Sequence, residues 1–147
     1  MMIAVIRLKG KYALTPTVKT TLNSLCLTRL YTCTLLPENE NTLGMIRACK
    51  DAISFGQVDE SVIERLLAKR GMTRDAKKLS VVMTPEAIAK LAKEIAASGK
   101  PLSSHALLPL FFLAPPRGGF GGSKKSHAPF GPLGKNTGIG ELIAKMA

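Results

Sequence analysis

The sequence predicts an α+β fold, with a small three-stranded βαβαβ core, added helices, and a basic, Gly-rich C-terminal extension. Three observations predict it. Over the first ~60 residues, short β-branched runs alternate with apolar residues at helical spacing. Hydroxyl, amide and proline residues stand where several of the helices would begin. Beyond residue 114, glycine and proline replace the large apolar side chains that a core needs.

Residues 2–8 form a β-branched-rich run that predicts a buried first strand. Thr15 and Pro16 supply a helix cap and a first helical residue, and Val18 and Leu22 then follow at helical spacing. The second predicted strand covers residues 32–36 and stops at Pro37, because proline cannot donate to a strand ladder.

Residues 39–42 predict a turn and cap before a second helix that carries Met45, Ile46 and Cys49 on its apolar face. A weaker third strand, interrupted by Gly56, is predicted over residues 54–58. The order of elements to this point is strand, helix, strand, helix, strand.

Two added helices are predicted next. Residues 61–64 fit a capping box, and the helix they open ends at Arg70 and Gly71. Thr84 and Pro85 open another helix, which the sequence ends at Gly99. The apolar residues of this second helix recur at i, i+3, i+4 and i+7, as expected for one buried face: Ile88, Leu91, Ala92 and Ile95.

The last third of the chain is predicted to hold an apolar strand over residues 107–113 and a short closing helix with Ile139, Leu142, Ile143 and Met146 inward. We therefore divide the chain into a core over residues 1–59, added helices over 60–105, and a final part over 106–147. That final part comprises the strand, the Gly/Pro-rich loop and the closing helix.

The charge of the chain points to a polyanionic partner. The formal net charge is +11, from 21 Lys and Arg against 10 Asp and Glu. No carboxylate precedes Glu38, and Glu141 is the only one after residue 100. This polarised distribution favours nucleic acid, with an anionic membrane as the other common partner. No apolar run reaches the ~20 residues that a membrane span needs, so we expect a cytoplasmic protein.

Catalysis and cofactor binding are not predicted. Cys26, Cys33 and Cys49 lie in apolar patterns and lack the spacing of a metal site, so we expect buried, reduced thiols and no bound metal. His105 and His127 lie in another region, which argues against a Cys–His catalytic pair. The glycines do not form the phosphate-loop pattern that ends in Lys followed by Ser or Thr. We expect neither a cofactor nor a small-molecule substrate.

The segment 115–138 is the strongest functional candidate in the sequence. It contains seven Gly, four Pro and four cations, and it has no carboxylate. Its aromatic residues, Phe120 and Phe130, interleave with the charges, as in segments that bind unpaired bases. Composition alone would equally allow a solvated linker. A strand before it and an apolar helix after it favour a tethered, RNA-contacting loop, which we expect to become ordered on RNA.

Several stretches resemble the large-subunit ribosomal protein family L-thirty (eukaryotic L-seven type): IRLKG at 6–10, CTLLPENENTLGMIRACKD at 33–51 and SFGQVDESVIERLLAKRG at 54–71. The stretches LAPPRGG at 113–119 and PLGK at 132–135 resemble its longer, archaeal form. The resemblance implies a ferredoxin-like three-stranded core and a structural, non-catalytic role. It also implies that the protein binds large-subunit ribosomal RNA beside neighbouring ribosomal proteins.

We combine this resemblance with the charge pattern to predict the RNA-binding residues. Leu43 stands where the family often has Arg, so the predicted contact moves to Arg47 and Lys50. Gly118 and Gly119 are included because glycine permits a close backbone approach, and His127 because its ring could stack on a base, although local packing is the commoner role of such a histidine. The full set is Lys9, Lys11, Lys19, Arg29, Arg47, Lys50, Arg117, Gly118, Gly119, Lys124, Lys125, His127 and Lys135.

One alternative stays open on sequence grounds. The run over residues 106–114 could be an exposed strand edge or groove of a non-ribosomal protein-interaction module. A membrane-surface role is less favoured, because no predicted helix joins a basic face to a bulky aromatic one.

Overall fold

A computed structural model describes residues 2–10, 12, 14–99, 102–127 and 130–147. The core consists of β1 (Met2–Arg7), α1 (Pro16–Ser24), β2 (Thr32–Pro37), α2 (Glu40–Ala48) and β3 (Ile53–Gln57). The following elements are α3 (Glu60–Arg70), α4 (Leu79–Val82), α5 (Pro85–Ser98), β4 (Phe111–Phe112), β5 (Gly134–Lys135) and α6 (Ile139–Met146). The predicted α+β class and the βαβαβ order of the core are confirmed.

The strands form one five-stranded sheet in the order β4-β2-β1-β3-β5. The central strand β1 is antiparallel to both neighbours, with Val5 opposite Thr34 on β2 and opposite Phe55 on β3. The short strand β4 pairs antiparallel with β2, and β5 pairs parallel with β3. Residues from the last third of the chain therefore extend both edges of the three-stranded core.

Helices cover both faces of the sheet, which explains why residues 2–6 of β1 are all apolar. Met2, Ala4 and Ile6 point into the larger core cluster, which α3, α5 and α6 complete. Ile3 and Val5 point into the smaller cluster, which α1 and α2 complete. The alternation of side chains along one strand thus supplies two cores.

The helix boundaries follow from local chemistry. Thr15 caps α1 and accepts a hydrogen bond from the Val18 N–H at 3.5 Å, and the Asn39 N–H donates to Thr42 Oγ1 at 3.0 Å ahead of α2. Helix α5 begins at Pro85 and is capped by Gly99, whose φ of 58° is left-handed. The predicted capping box at residues 61–64 is wrong, because α3 begins two residues earlier, with Asp59 at the cap position.

The predicted strand over residues 107–113 is reduced to Phe111–Phe112. Pro109 interrupts it, because proline has no N–H to donate to a ladder, and its carbonyl instead accepts a 2.7 Å hydrogen bond from Thr34 Oγ1. Leu107 forms a bridge to Thr73, and the Leu108 N–H donates to Met72 O. The apolar run is thereby divided between the sheet and the segment that follows α3.

None of the helices in the described part of the chain has both the length and the apolar character that a bilayer crossing requires.

Candidate nucleic-acid interface

The loop between β4 and β5 runs across one end of the sheet, because these two strands lie at opposite edges. Phe120 and Lys124 contact Tyr31, which directly precedes β2. Further along the loop, His127 Nε2 lies 3.0 Å from Asp51 Oδ1, in the turn that precedes β3. The loop therefore lies against the end of the sheet where β1 ends and where β2 and β3 begin.

This arrangement brings two groups of predicted RNA-binding residues together. Lys9 follows β1, Arg29 lies before β2 and Lys50 lies before β3, so all three belong to the sheet end that the loop crosses. We call the combined surface the basic end; its members are Lys9, Arg29, Lys50, Lys124, Lys125 and His127. Asp51 brings a carboxylate to this surface, where it lies beside His127.

Lys124 holds the middle of the loop against the protein. Its Nζ lies 5.0 Å from the ring centroid of Tyr31 and 5.4 Å from that of Phe120, and it donates to the Tyr31 hydroxyl. The two rings stack on each other with centroids 6.4 Å apart and planes at 28°. Cation–π attraction and ring stacking thus fix the position of Lys124, although it lies in a Gly-rich segment of the kind that is often flexible.

Arg29 has a similar aromatic neighbour. Its guanidinium carbon lies 5.6 Å from the ring centroid of Phe112 on the edge strand β4, and that ring is 38% exposed. Cations held beside partly exposed rings are the combination that unpaired bases stack on in RNA-binding proteins. The contact gives Arg29 a defined position at the edge of the basic end.

Arg7 supports the basic end from inside and was absent from the predicted set. Its side chain is 4% exposed, and it donates to Lys9 O at 2.9 Å and to Leu27 O and Thr28 O at 2.8 Å each. Burial lowers the pKa of the Arg7 guanidinium below its ordinary value. The sequence signal was a lone cation within an apolar strand, which is typical of a side chain that satisfies buried backbone carbonyls.

Arg117, Gly118 and Gly119 lie at the margin of the basic end. The Arg117 N–H donates to Lys145 O at 3.1 Å, in the last turn of α6. Gly118 and Gly119 have φ values of 80° and 78°, with open space where a Cβ would stand. Their left-handed backbone accounts for glycine at these positions, and their open faces leave room for the close approach that the sequence suggested.

The remaining predicted residues lie elsewhere. Lys19 is exposed on α1, and Arg47 and Lys135 line a cleft beside β3. Lys11 lies outside the described residues. The predicted set thus divides into the basic end, its margin, a separate cleft and a lone helix position.

One loop glycine has a structural role that the sequence analysis did not foresee. A Cβ on Gly131 would lie 2.2 Å from Ser126 O, so only glycine allows the two arms of the loop to meet there. The Leu133 N–H then donates to the same carbonyl at 3.2 Å. The loop closes on itself through this contact, and both of its ends are attached to the body.

The alternative surface over residues 106–114 does not form an exposed groove. Leu107, Phe111 and Leu113 are 4%, 1% and 9% exposed and belong to the larger core cluster. The protein-interaction reading required these side chains to be free, so it is not favoured. Phe112 is exposed in this run, and Leu108 and Leu110 are half-buried.

The cysteines are free thiols, with Cys33 and Cys49 buried and Cys26 half-buried. Burial raises the pKa of the Cys33 thiol to about 12, and a backbone hydrogen bond from Val5 opposes part of that shift. Burial also raises the pKa of Cys49. Neither buried thiol is therefore ionised at neutral pH, as an attacking group would have to be.

Comparisons with known proteins relate the chain to one family. Residues 3–53 match the family model described as ribosomal protein L30p/L7e. A protein of Methanothrix thermoacetophila, named large ribosomal subunit protein uL30, is 35% identical over 99% of both chains. A protein with that name from Methanococcus vannielii is 33% identical over 99% of both chains. Another, from Nanoarchaeum equitans, is 32% identical over 97% of this chain and 96% of its own length.

Proposed function

The chain belongs to the ribosomal protein L30p/L7e family, in its archaeal form, and from that premise we propose that its basic end binds large-subunit ribosomal RNA. The protein is a structural, non-enzymatic constituent of the large ribosomal subunit, and its place in the cell is the cytoplasmic ribosome. Ribosomal RNA and other ribosomal proteins are its partners.

The observation that carries the RNA contact is the meeting of two basic segments at one end of the sheet. Lys9, Arg29 and Lys50 come from the core, and Lys124 and Lys125 come from a loop attached there through His127 and Tyr31. Cations clustered on one surface neutralise phosphates and release counterions, which makes binding depend steeply on salt. Because A-form helices hide their base edges in a deep groove, contacts from such a surface go mainly to backbone and shape.

The attachment of the loop explains how it can bind without a large entropic cost. Its two ends are held by β4 and β5, and its middle is held by the contacts of Lys124. Ordering a free segment on RNA would consume binding free energy, whereas a partly fixed loop loses less. Arg117 with Gly118 and Gly119 then offers a second approach for the RNA backbone at the margin of the same surface.

The test is filter binding to purified archaeal large-subunit RNA across a salt series, with two triple variants. One variant replaces Lys9, Lys50 and Lys125 by Ala. The other replaces Lys69, Lys90 and Lys93, which are exposed on α3 and α5 and lie on the opposite face of the sheet from α1 and α2. Both variants lose the same charge, so a difference between them reports position rather than net charge. Lys124 is left intact because it packs on Tyr31 and Phe120.

We expect the first variant to flatten the slope of log K against log salt by about 2, and the second to leave it nearly unchanged. Far-UV circular dichroism of both variants checks that each remains folded. Binding by the wild-type protein that ignores salt would overturn the proposal. Equal weakening by the two variants would also overturn it, because the basic end would then have no special role.

A further inference from the structure

A cleft of about 540 Å³ lies between α2, β3 and the segment that contains β5, apart from the basic end. Its volume falls within the range of small-ligand sites, roughly 300–1,000 Å³. The side chains that give it chemical character are Leu43, Phe55, Arg47, Lys135, Glu38 and Asp59.

The floor of the cleft is apolar. Leu43 on α2 and Phe55 on β3 are half-buried, and each packs against the smaller core cluster while its other side lines the cleft. An aromatic ring beside an aliphatic side chain, open on one side, is a surface on which a planar base can stack.

The charges of the cleft are separated along β3. Lys135 pairs with Phe55 in the sheet, whereas Glu38 accepts a hydrogen bond from Gln57 at 3.3 Å, two residues or about 7 Å further along the strand. Arg47 stands in the last turn of α2, and Asp59 follows the end of β3. The two cations therefore flank the half of the cleft nearer to the basic end, and the two carboxylates flank the other half.

We propose that this cleft receives one unpaired nucleotide of the RNA that the basic end binds, an inference that rests on the proposed function. Its phosphate lies beside Arg47 and Lys135, and its base stacks on Phe55. The exocyclic amino group of the base donates to the carboxylate of Glu38 or Asp59. The cleft thus reads a base, whereas the basic end contacts phosphates.

This arrangement predicts which bases are accepted. Adenine, cytosine and guanine each carry an exocyclic amino group that can donate to a carboxylate. Uracil presents carbonyl oxygens at the corresponding positions, and these repel a carboxylate. The cleft should therefore prefer a nucleotide with an amino group over uridine.

The experiment uses five RNA hairpins with the same stem. Four carry a single-nucleotide bulge, one for each base, and the fifth is fully paired. The wild-type chain is compared with the double variant E38Q/D59N, which removes both carboxylate charges at nearly constant volume. The double variant E86Q/E94Q, on α5 outside the cleft, is the matched control for the change of net charge.

We expect wild-type protein to bind the adenosine, cytidine and guanosine bulges at least fivefold more tightly than the uridine bulge or the paired stem. E38Q/D59N should reduce this preference to within about twofold, because an amide can donate to uracil as well as accept from an amino group. E86Q/E94Q should keep the preference.

Equal affinity for all five hairpins would overturn the cleft inference and leave the proposed function standing. Salt-independent binding, or no binding, to every hairpin would overturn both. Adenosine 5′-monophosphate is titrated separately. If it binds as tightly as the adenosine bulge and no hairpin preference exists, the cleft is a free-nucleotide site and the RNA assignment is wrong.

Discussion

The imidazole Nε2 of His127 lies 3.0 Å from Oδ1 of Asp51 and so links the C-terminal loop to the turn before β3. Both side chains are about half exposed or more, at 48% and 69%. An exposed pair of this kind adds little to global stability. Its effect is local, because it decides where the loop lies relative to Lys9 and Lys50.

We predict that His127→Ala loosens the loop without unfolding the protein. The Leu133 and Gly131 amides, which donate to Ser126 O and His127 O, should exchange about tenfold faster with solvent, since their hydrogen bonds close the loop. The free energy of unfolding should change by less than about 1 kcal/mol. Hydrogen exchange by mass spectrometry measures the amide exchange rates, and urea titration measures the free energy of unfolding. Asp51→Ala should reproduce both results. Unchanged exchange at Leu133 would contradict the prediction.

The tip of the loop, residues 121–125, should behave differently from its ends. Its side chains are exposed, and its main contacts with the body come from Lys124. We predict fast amide exchange at the tip in the free protein and strong protection once RNA is bound, because the RNA adds contacts that the body does not supply. The same exchange experiment with and without large-subunit RNA tests this; slow exchange at the tip without RNA would disprove it.

Arg7→Met should destabilise the protein by about 3 kcal/mol, since it removes the donors to three backbone carbonyls and leaves them without those partners. Arg7→Lys keeps the charge but cannot reproduce the fixed geometry of the guanidinium, so we expect an intermediate loss. Urea unfolding monitored by circular dichroism compares the three chains. Wild-type stability in Arg7→Met would show that the buried guanidinium contributes nothing.

Two glycines offer a matched pair of substitutions with opposite expected signs. A Cβ on Gly56 would lie 2.3 Å from Asn136 O, where β5 leaves β3, so Gly56→Ala should destabilise by about 2 kcal/mol. Gly44 lies inside α2 with nothing within 4 Å of a Cβ, so Gly44→Ala should stabilise by about 0.5–1 kcal/mol. Thermal or urea unfolding decides both. Wild-type stability in Gly56→Ala would mean that the backbone at Asn136 does not approach Gly56 closely.

The buried Cys33 predicts how stability depends on alkaline pH. Its folded pKa is raised to about 12 from 9.0, so the folded chain keeps a proton that the unfolded chain releases. The protonated Cys33 thiol therefore makes its full contribution to the free energy of unfolding below pH 9. That contribution is lost as pH rises from the unfolded pKa to the folded pKa, by up to about 1.4 kcal/mol per pH unit.

Cys33→Ala isolates this effect, because it removes the thiol that titrates. The substitution should cost stability at pH 8 through lost packing. We expect its deficit relative to wild type to narrow by about 1 kcal/mol at pH 10. Urea unfolding at the two pH values provides the comparison, and a deficit independent of pH would contradict the raised pKa.

Local chemistry made the core predictable from the sequence. Proline and threonine fix the start of α1, and proline and glycine bound α5, through effects confined to a few residues. The strand β5 was not predicted, because Gly134 and Lys135 carry no apolar pattern and pair with β3. The predicted β4 was too long because the prediction followed the apolar pattern across Pro109. Proline cannot donate to a strand ladder, so the strand is confined to residues after it.

The candidate site was only partly predictable, because it too depends on contacts between residues far apart in the chain. Charge patterning selected the cations, but it could not show that His127 meets Asp51 or that Lys124 meets Tyr31, far apart in the chain. Such pairs depend on strand order, which no local pattern encodes. Arg47 and Lys135 were selected from distant parts of the sequence, and the strand pairing of β5 with β3 is what places them in one cleft.

The two edges of the sheet are completed by residues made well after its centre. During synthesis the β1–β3 unit is finished while β4, β5 and α6 are still to come, so one core face and both strand edges begin uncovered. A nascent chain at that stage is vulnerable to edge-to-edge association. An interrupted synthesis that stops before residue 111 should therefore yield an aggregation-prone product.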